Sequence, residues 1–218
     1  MPSNKALQQI KANCHVFCIR KSHASLPLPL SLVVGPSKTA MKAPEHLQTE
    51  RLLLRRPTPG DAECIFARYA SDPEVTRYLS WPRHESAEQT RAFLNFSDWE
   101  WERWPAGPYV IESRESRVLF GGTGFAFETP DVASTGYVLA RDAWGKGYAT
   151  EALAGLMSLC KQVAVRRVYA LCHLDHVASH RVLEKCGFSQ EHEFVEHTCF
   201  PNLGRSNPQR TICYARTF

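Results

Sequence analysis

The most informative stretch of the sequence is Gly136-Tyr137-Val138-Leu139-Ala140-Arg141-Asp142-Ala143-Trp144-Gly145-Lys146-Gly147-Tyr148-Ala149-Thr150-Glu151-Ala152-Leu153-Ala154. Its first part, from Tyr137 to Ala140, is a short apolar run that is typical of a buried strand. Gly145 and Gly147 follow one residue apart, where the backbone can approach a ligand closely. Apolar residues then recur at helical spacing, namely Ala149, Ala152, Leu153, Leu156 and Cys160. This order predicts a strand, a glycine turn and an amphipathic helix.

Together these three elements predict an anion-binding site. The first amides of a helix have no internal acceptor and carry the positive end of the helix dipole, and a diphosphate can use both features. The alternative is that Gly145 and Gly147 only form a tight turn. Two nucleotide motifs are excluded: Gly147 stands where a P-loop needs Ser or Thr, and Thr150 stands where the dinucleotide fingerprint has a third glycine.

Residues 144–152 resemble the acetyl-CoA signature of GNAT N-acetyltransferases, especially the RimJ/RimL-like branch. In the pattern Gln/Arg-x-x-Gly-x-Gly/Ala, Trp144 takes the first position, Gly147 the first glycine and Ala149 the last position. Tryptophan is usual there in this branch. The resemblance covers roughly residues 47–217 and implies an α/β (α+β) fold. Its mixed, mostly antiparallel central sheet of about seven strands is flanked by helices and splayed at the acetyl-CoA site.

A second stretch, Asp175 to Phe188, is similar to the family's signature Asn-x-x-Ser…Leu-Glu-Lys-x-Gly-Phe. The matching residues are Ser179, Leu183, Glu184, Lys185, Gly187 and Phe188. His176 replaces the asparagine, whose side chain in the family helps to hold the pantetheine arm or the thioester region.

The resemblance implies transfer of an acetyl group from acetyl-CoA to an amine. It places the pantetheine beside the backbone of Val138 and Leu139, with the Leu139 N–H polarising the thioester carbonyl. His176 and Ser179 belong to the same end of the cofactor. The expected diphosphate ligands are the amides of Gly145, Lys146, Gly147, Tyr148, Ala149 and Thr150, together with Thr150 Oγ.

The sequence departs from the family at the general base and at the proton donor. Other GNAT enzymes use a glutamate and a tyrosine at positions that are Leu171 and Leu183 here, and neither leucine can transfer a proton. His173 is a candidate base, and Ser179 is a candidate donor to the departing sulfur. The alternatives are that His173 is structural and that Ser179 caps its helix. Further candidate bases are Glu128 and Asp131.

An aromatic region precedes these motifs. Ser86 and Gln89 form a capping-box pattern that starts a helix, and this helix carries Trp99, Trp101 and Trp104 close together. We predict that Trp101 or Trp104, together with Trp81, lines the acceptor pocket. The alternative is that these tryptophans belong to the core and the ordinary surface.

Composition narrows the class of protein. The 218 residues are 44% hydrophobic and 22% charged, which fits one globular domain. Of the 26 basic side chains, five lie in residues 1–40, which have no Asp or Glu; the other 21 balance 22 acidic ones, which argues against nucleic-acid binding. No apolar run approaches the roughly 18 residues of a membrane span. Eight cysteines without a Cys-x-x-Cys pair suggest reduced thiols, with Cys160 and Cys186 buried.

The sequence predicts two regions. Residues 1–44 form a basic extension, expected to be disordered, which could instead be a targeting segment or the product of translation starting upstream of Met41. Residues 45–218 form a single N-acetyltransferase domain, expected to be cytoplasmic and a monomer or homodimer.

We expect the acceptor to be the α-amine of a peptide or protein N-terminus, because its pKa of about 7.7–8.0 lets it react without a strong base, whereas a lysine amine titrates near 10.4. A small amine, such as an amino acid, polyamine or aminoglycoside, is the second possibility. A non-catalytic acyl-CoA sensor is the third.

Overall fold

The structure, a computed structural model, describes residues 41–204 and 209–218, and only the backbone of residues 192–198. Eight strands form one sheet in the order β1-β2-β3-β4-β5-β6-β8-β7. The strands are β1 (His46–Gln48), β2 (Leu52–Arg55), β3 (Pro108–Ser113), β4 (Leu119–Thr129), β5 (Val132–Leu139), β6 (Arg167–His173), β7 (Ser189–Thr198) and β8 (Gln209–Thr217). Among these described strands, only β5 and β6 pair in parallel, because a helix crosses between them. The predicted mixed, mostly antiparallel sheet is confirmed, with eight strands instead of about seven.

In the part of the chain that the structure describes, five α-helices flank the sheet. They are α1 (Ala62–Ile65), α2 (Pro73–Thr76), α3 (Ala87–Arg103), α4 (Tyr148–Ser158) and α5 (Val177–Lys185), and a π-helical turn, Phe66–Ala70, continues α1. The capping box predicted for α3 is not formed: Ser86 is the N-cap residue, but Gln89 Oε1 accepts from the N–H of Glu85 at 2.8 Å. No helix in the described ranges combines the length and the apolar surface needed to span a bilayer.

The core lies on both faces of the sheet, because successive strand residues point to opposite faces. Tyr109 and Ile111 of β3 belong to the cluster that α4 and α5 cover, whereas Val110 belongs to the cluster that α1 and α3 cover. Helix α4 contributes Leu153 and Leu156, both fully buried. The site described below lies where both clusters meet the end of β5.

The parallel pair separates along its length. Residues Val132 to Ser134 pair with Arg167 to Tyr169. Beyond these residues, β5 continues to Leu139 and β6 to His173 without pairing with each other. The sheet is therefore splayed between these two strands, as the resemblance implied. The gap exposes the backbone edge of β5.

The glycine-rich strand β4 packs directly on β5. A Cβ atom at Gly121 would lie 1.9 Å from the carbonyl oxygen of Val138, so no side chain fits there. The register of β3 and β4 shifts between Ile111 and Glu112, which marks a bulge. The missing side chain at Gly121 thus lets β4 and β5 approach closely.

The domain starts earlier than residue 45. Ala43 is 5% exposed in the core, and Lys42 Nζ donates to the carbonyls of Trp101 and Trp104, which holds the end of α3. Residues 41–44 thus belong to the domain, while the rest of the predicted extension lies outside the described residues. Cys160 and Cys186 are buried, as predicted.

Candidate active site

The two glycines after β5 both adopt left-handed backbone conformations. Gly145 has a φ of +71° and Gly147 of +81°, which most side chains disfavour. Before them, the half-exposed indole of Trp144 donates from Nε1 to the carbonyl oxygen of Leu139 at 2.7 Å. This bond ties the turn to the end of β5.

Helix α4 begins directly after this turn, with Gly147 as its N-cap residue. The N–H of Glu151 donates to the Gly147 carbonyl at 3.0 Å and starts the helical ladder. The N–H groups of Tyr148, Ala149 and Thr150 precede it and have no acceptor within the helix. We call residues Gly145–Thr150 the cofactor turn, because bare amides at the positive end of a helix suit a diphosphate.

Arg51 holds the cofactor turn from behind. Its Nη1 donates to the carbonyl oxygen of Lys146 at 3.0 Å, and its guanidinium lies 4.6 Å from the centre of the Tyr148 ring. A trans peptide points its C=O and N–H in opposite directions. Because the Lys146 carbonyl faces Arg51, the N–H of Gly147 faces the other side of the turn, where a ligand can reach it.

Glu151 fixes Arg51 in turn. Its Oε2 accepts from Arg51 Nε at 2.7 Å, and its Oε1 accepts from the Arg51 backbone N–H at 2.7 Å and from Thr49 Oγ1 at 2.6 Å. Burial alone would raise the pKa of Glu151, but the hydrogen bonds from Thr49 and Arg51 bring this pKa below its usual value. This role of Arg51 was not predicted; the acidic residue in the first turn of α4 was the available signal for it.

The edge of β5 that faces the gap carries free backbone donors. The N–H of Ala140 donates to the carbonyl of Phe120 in β4 at 2.7 Å. Since successive residues of an antiparallel strand bond to opposite sides, the N–H of Leu139 points into the gap towards β6. This is the donor predicted to polarise the thioester carbonyl.

A cavity of about 150 Å³ occupies the gap between β5 and β6. Four of the predicted site residues line it: Val138, His176, Ser179 and Trp81. Five side chains line the cavity from the side of α1 and α3, and we call them the acceptor wall. They are Tyr78, Trp81, His84, Phe93 and Phe200. None of the lining residues in the described ranges is Asp, Glu, Lys or Arg.

A hydroxyl pair bridges the gap. Tyr137 Oη lies 2.8 Å from Ser179 Oγ and donates to the Ser179 carbonyl at 3.1 Å. Burial raises the pKa of Tyr137 well above its usual value, and burial raises the pKa of the Cys172 thiol beside the pair to about 11. Both groups are protonated at neutral pH. The sequence suggested Ser179 as a proton donor but missed Tyr137, which was assigned only to a buried strand.

The assignment of His173 as the general base is corrected by its surroundings. Its side chain is 7% exposed between the rings of Tyr78 and Phe200, at centroid distances of 5.0 and 4.9 Å. Its Nδ1 accepts from the N–H of Asp175 at 3.1 Å, so that lone pair is already used. The residue is not among those lining the cavity. His173 therefore packs behind the site.

Two other histidines line the cavity. His176 stacks on Tyr78 at 4.8 Å, and burial, together with the nearby His180 and His173, lowers its pKa to about 4. His84 bonds through Nδ1 to Thr90 Oγ1 at 2.8 Å, and burial lowers its pKa to about 4. Both rings are neutral near pH 7 and too weakly basic to deprotonate an amine efficiently. His84 carried no signal in the sequence.

The three tryptophans predicted to line the acceptor pocket lie in two different regions of the structure. Trp81 lines the cavity, but Trp101 and Trp104 do not. Trp101 donates from Nε1 to the Pro108 carbonyl at 2.8 Å, and Trp104 stacks on Phe127 at 5.3 Å. Both are buried in the core beside α4 and α5. The prediction that one of them contacts the acceptor is wrong, because the end of α3 lies away from the gap.

The other positions considered for proton transfer supply no acid or base to the cavity. Leu171 and Leu183 both line it, and neither leucine can transfer a proton. Glu128 accepts a hydrogen bond from Tyr169, and Asp131 lies in the β4–β5 turn. These two carboxylates are therefore at the opposite end of β5 from Leu139.

Splayed parallel strands beside a bare helix start define an enzyme site for a CoA thioester. Comparison with known proteins agrees, since residues 51–189 match the acetyltransferase (GNAT) domain family. The chain belongs to the GNAT family and is an N-acetyltransferase that uses acetyl-CoA.

Several relatives support this assignment. An uncharacterized N-acetyltransferase, YoaA of Bacillus subtilis (strain 168), is 33% identical over 148 residues, which are 66% of this chain and 83% of the relative. A GNAT-family acetyltransferase from Bacillus anthracis is 25% identical with a TM-score of 0.68, covering 79% of this chain and 98% of its own. RimL, a ribosomal L7/L12 α-N-protein acetyltransferase solved with coenzyme A, shares the fold at 22% identity and a TM-score of 0.71, covering 80% of this chain and 98% of its own.

Proposed function

We propose that the protein moves an acetyl group from acetyl-CoA directly to the α-amine of a peptide or protein N-terminus. The observation that carries this proposal is the lack of a carboxylate or a basic histidine among the described residues that line the cavity. Without a strong base, the acceptor must be an amine that is already substantially neutral. An α-amine, with a pKa of about 7.7–8.0, meets this condition far better than a lysine amine near 10.4.

Each chemical requirement of the reaction has a matching group. The amides of the cofactor turn would bind the diphosphate, with Gly147 N–H oriented by Arg51. The N–H of Leu139 would donate to the thioester oxygen as negative charge develops there. Val138 and His176 lie where the pantetheine arm would pass.

The protons balance in three steps. The neutral amine attacks the thioester carbonyl carbon, so that a C–N bond forms and the C–S bond breaks. The departing sulfur takes a proton from the hydroxyl pair of Tyr137 and Ser179, which is 2.8 Å across. The amine nitrogen loses one proton to water, and burial of the amine among uncharged side chains assists this loss by lowering its pKa. Water returns one proton to the hydroxyl pair, so that the net products are the acetylated amine and free thiol.

RimL is named as an α-N-protein acetyltransferase, which agrees with this choice of acceptor. At 22% identity, however, RimL shows only that the two proteins share a fold. The direct test uses the purified full chain, acetyl-CoA and a panel of peptides, with free thiol as the readout. Thiol should be released with peptides that have a free α-amine and not with the same peptides blocked at that amine.

Two results would contradict the proposal. Turnover of free amino acids, polyamines or aminoglycosides but of no peptide would make the protein a small-molecule acetyltransferase. Binding of acetyl-CoA without turnover on any amine would make it an acyl-CoA sensor.

A further inference from the structure

The acceptor wall has an unusual chemical composition for a site that must receive an amine. Trp81 and Phe200 are 6% and 2% exposed, and Phe93 is half-buried. The ring of His84 lies 5.0 Å from that of Trp81, and the wall includes no described acidic or basic side chain that is charged near pH 7. A charged group placed here would lose its hydration without gaining a partner.

The cavity has an apolar side next to the gap. Its volume is about 150 Å³, which the thioester end of the cofactor and the acceptor would share, and the acceptor wall forms one side of it. The wall lies on the face that α1 and α3 cover, while the cofactor turn starts α4 on the opposite face. An acceptor that enters from the wall would thus meet the thioester at the gap.

The wall is also held in place before any substrate arrives. Asn202, in the turn after β7, donates from Nδ2 to the carbonyls of Thr76 at 2.7 Å and Trp81 at 2.9 Å. Its Oδ1 accepts from the N–H of Arg83 at 2.8 Å. One side chain thereby fixes both ends of the segment that carries Tyr78 and Trp81. A preorganised pocket loses less entropy on binding.

We propose that the acceptor wall selects amines that carry a bulky apolar group next to the nitrogen, above all N-termini that begin with Phe, Leu or a residue of similar size. Asn202 is the positioning residue that keeps this pocket formed. The proposal rests on the proposed acetyl transfer to N-termini and specifies the first residue of the acceptor.

The experiment compares kcat/KM for peptides of one length that differ only in the first residue, which is Phe, Leu, Gly, Asp or Lys. Phenethylamine and spermidine serve as small amines. Burial of an apolar side chain should favour Phe and Leu over Gly by about 10- to 100-fold, and Asp and Lys should be poorest. Equal rates, or a preference for Asp or Lys, would overturn the selectivity but leave N-terminal acetylation intact.

Phenethylamine separates the two proposals. If it is acetylated, spermidine is not, and no peptide is, the selectivity holds and the proposed peptide substrate fails. If spermidine is preferred to phenethylamine, the selectivity fails whatever the peptides do.

Variants test the residues. Phe93→Ala, at a half-buried position that should tolerate truncation, should reduce the ratio of Phe to Gly peptides about 10-fold, with the KM for acetyl-CoA unchanged. Asn202→Asp removes both donors and keeps the acceptor, and should raise the KM for the Phe peptide several-fold. Asn95→Asp, at an exposed position of α3, is the matched control. A Phe-to-Gly ratio that stays at its wild-type value in Phe93→Ala would contradict the assignment of the wall.

Discussion

The cofactor turn and the acceptor wall border the same gap, yet they are built in opposite ways. The donors of the turn come from six consecutive residues, Gly145–Thr150, whereas the wall joins residues from Tyr78 to Phe200. The turn acts through backbone N–H groups, and the wall acts through side chains. A local motif therefore determines how acetyl-CoA is held, and tertiary packing determines what is acetylated.

The two regions share one feature. Each is fixed by a side chain far away in the sequence, Arg51 behind the turn and Asn202 behind the wall. Both bind backbone carbonyls, so they orient the chain without touching the cavity.

The largest expected effect is on the turn itself. Gly147→Asp should weaken acetyl-CoA binding by about 10³-fold, or about 4 kcal/mol. It would place a side chain at a φ of +81°, with its Cβ 3.4 Å from Arg51 Nη2, so the new carboxylate would draw Arg51 away from the Lys146 carbonyl and disturb the turn. Calorimetric titration measures the loss. Gly204→Asp, at a φ of +64° with open space around it, is a control for charge and backbone strain. Unchanged affinity in Gly147→Asp would place the anion site elsewhere.

The next effect concerns the hydroxyl pair at the gap. Tyr137→Phe should lower kcat by about 10²-fold, at the low end for proton transfer because a thiolate is a tolerable leaving group. The KM for acetyl-CoA should stay within twofold. Tyr169→Phe, which also loses a hydroxyl bonded to another side chain but lies outside the cavity, should keep full activity. Equal losses in the two variants would argue for a structural effect.

The sequence predicted the local cofactor turn better than the features that depend on tertiary packing. The turn was predictable because glycine spacing and a helix start act locally, and the parallel β5–β6 pair followed from the helix between them. Strand β1, with three residues, was too short to recognise. Trp101 was misassigned because aromatic content does not show a direction: its ring packs on Gly107, where a Cβ would lie 2.7 Å from it.

A third prediction tests whether Arg51 orients the N–H of Gly147. Arg51→Met should raise the KM for acetyl-CoA about 10-fold, because a charged hydrogen bond contributes about 1.5 kcal/mol or more. Arg51→Lys keeps the charge but cannot reproduce the geometry of the guanidinium, so a loss in both variants points to orientation of the Gly147 N–H. Acetyl-pantetheine lacks the diphosphate and should be used equally by all three proteins. Arg91→Ala, at an exposed ion pair, is the control. Similar losses with acetyl-pantetheine would contradict this role.

The last prediction uses pH to test whether the two histidines that line the cavity are uncharged. The pKa values of His84 and His176 are about 4 in the folded protein and about 6.5 when unfolded. Between these values the unfolded chain binds more protons, so the free energy of unfolding should fall as the pH drops from 6.5 to 4 and should not change further on their account below 4. Solvent screening limits the slope to about 1 kcal/mol per pH unit for each ring.

Urea unfolding at several pH values between 4 and 7 measures this slope. His84→Gln and His176→Gln should each flatten it, because each removes one buried group that must stay neutral. The exposed His46→Gln should leave it unchanged. A slope that persists in the double variant His84→Gln/His176→Gln would mean that other groups carry it. In that case folding does not lower the pKa values of the two rings, and the cavity would lose the uncharged character that distinguishes it from the cofactor turn.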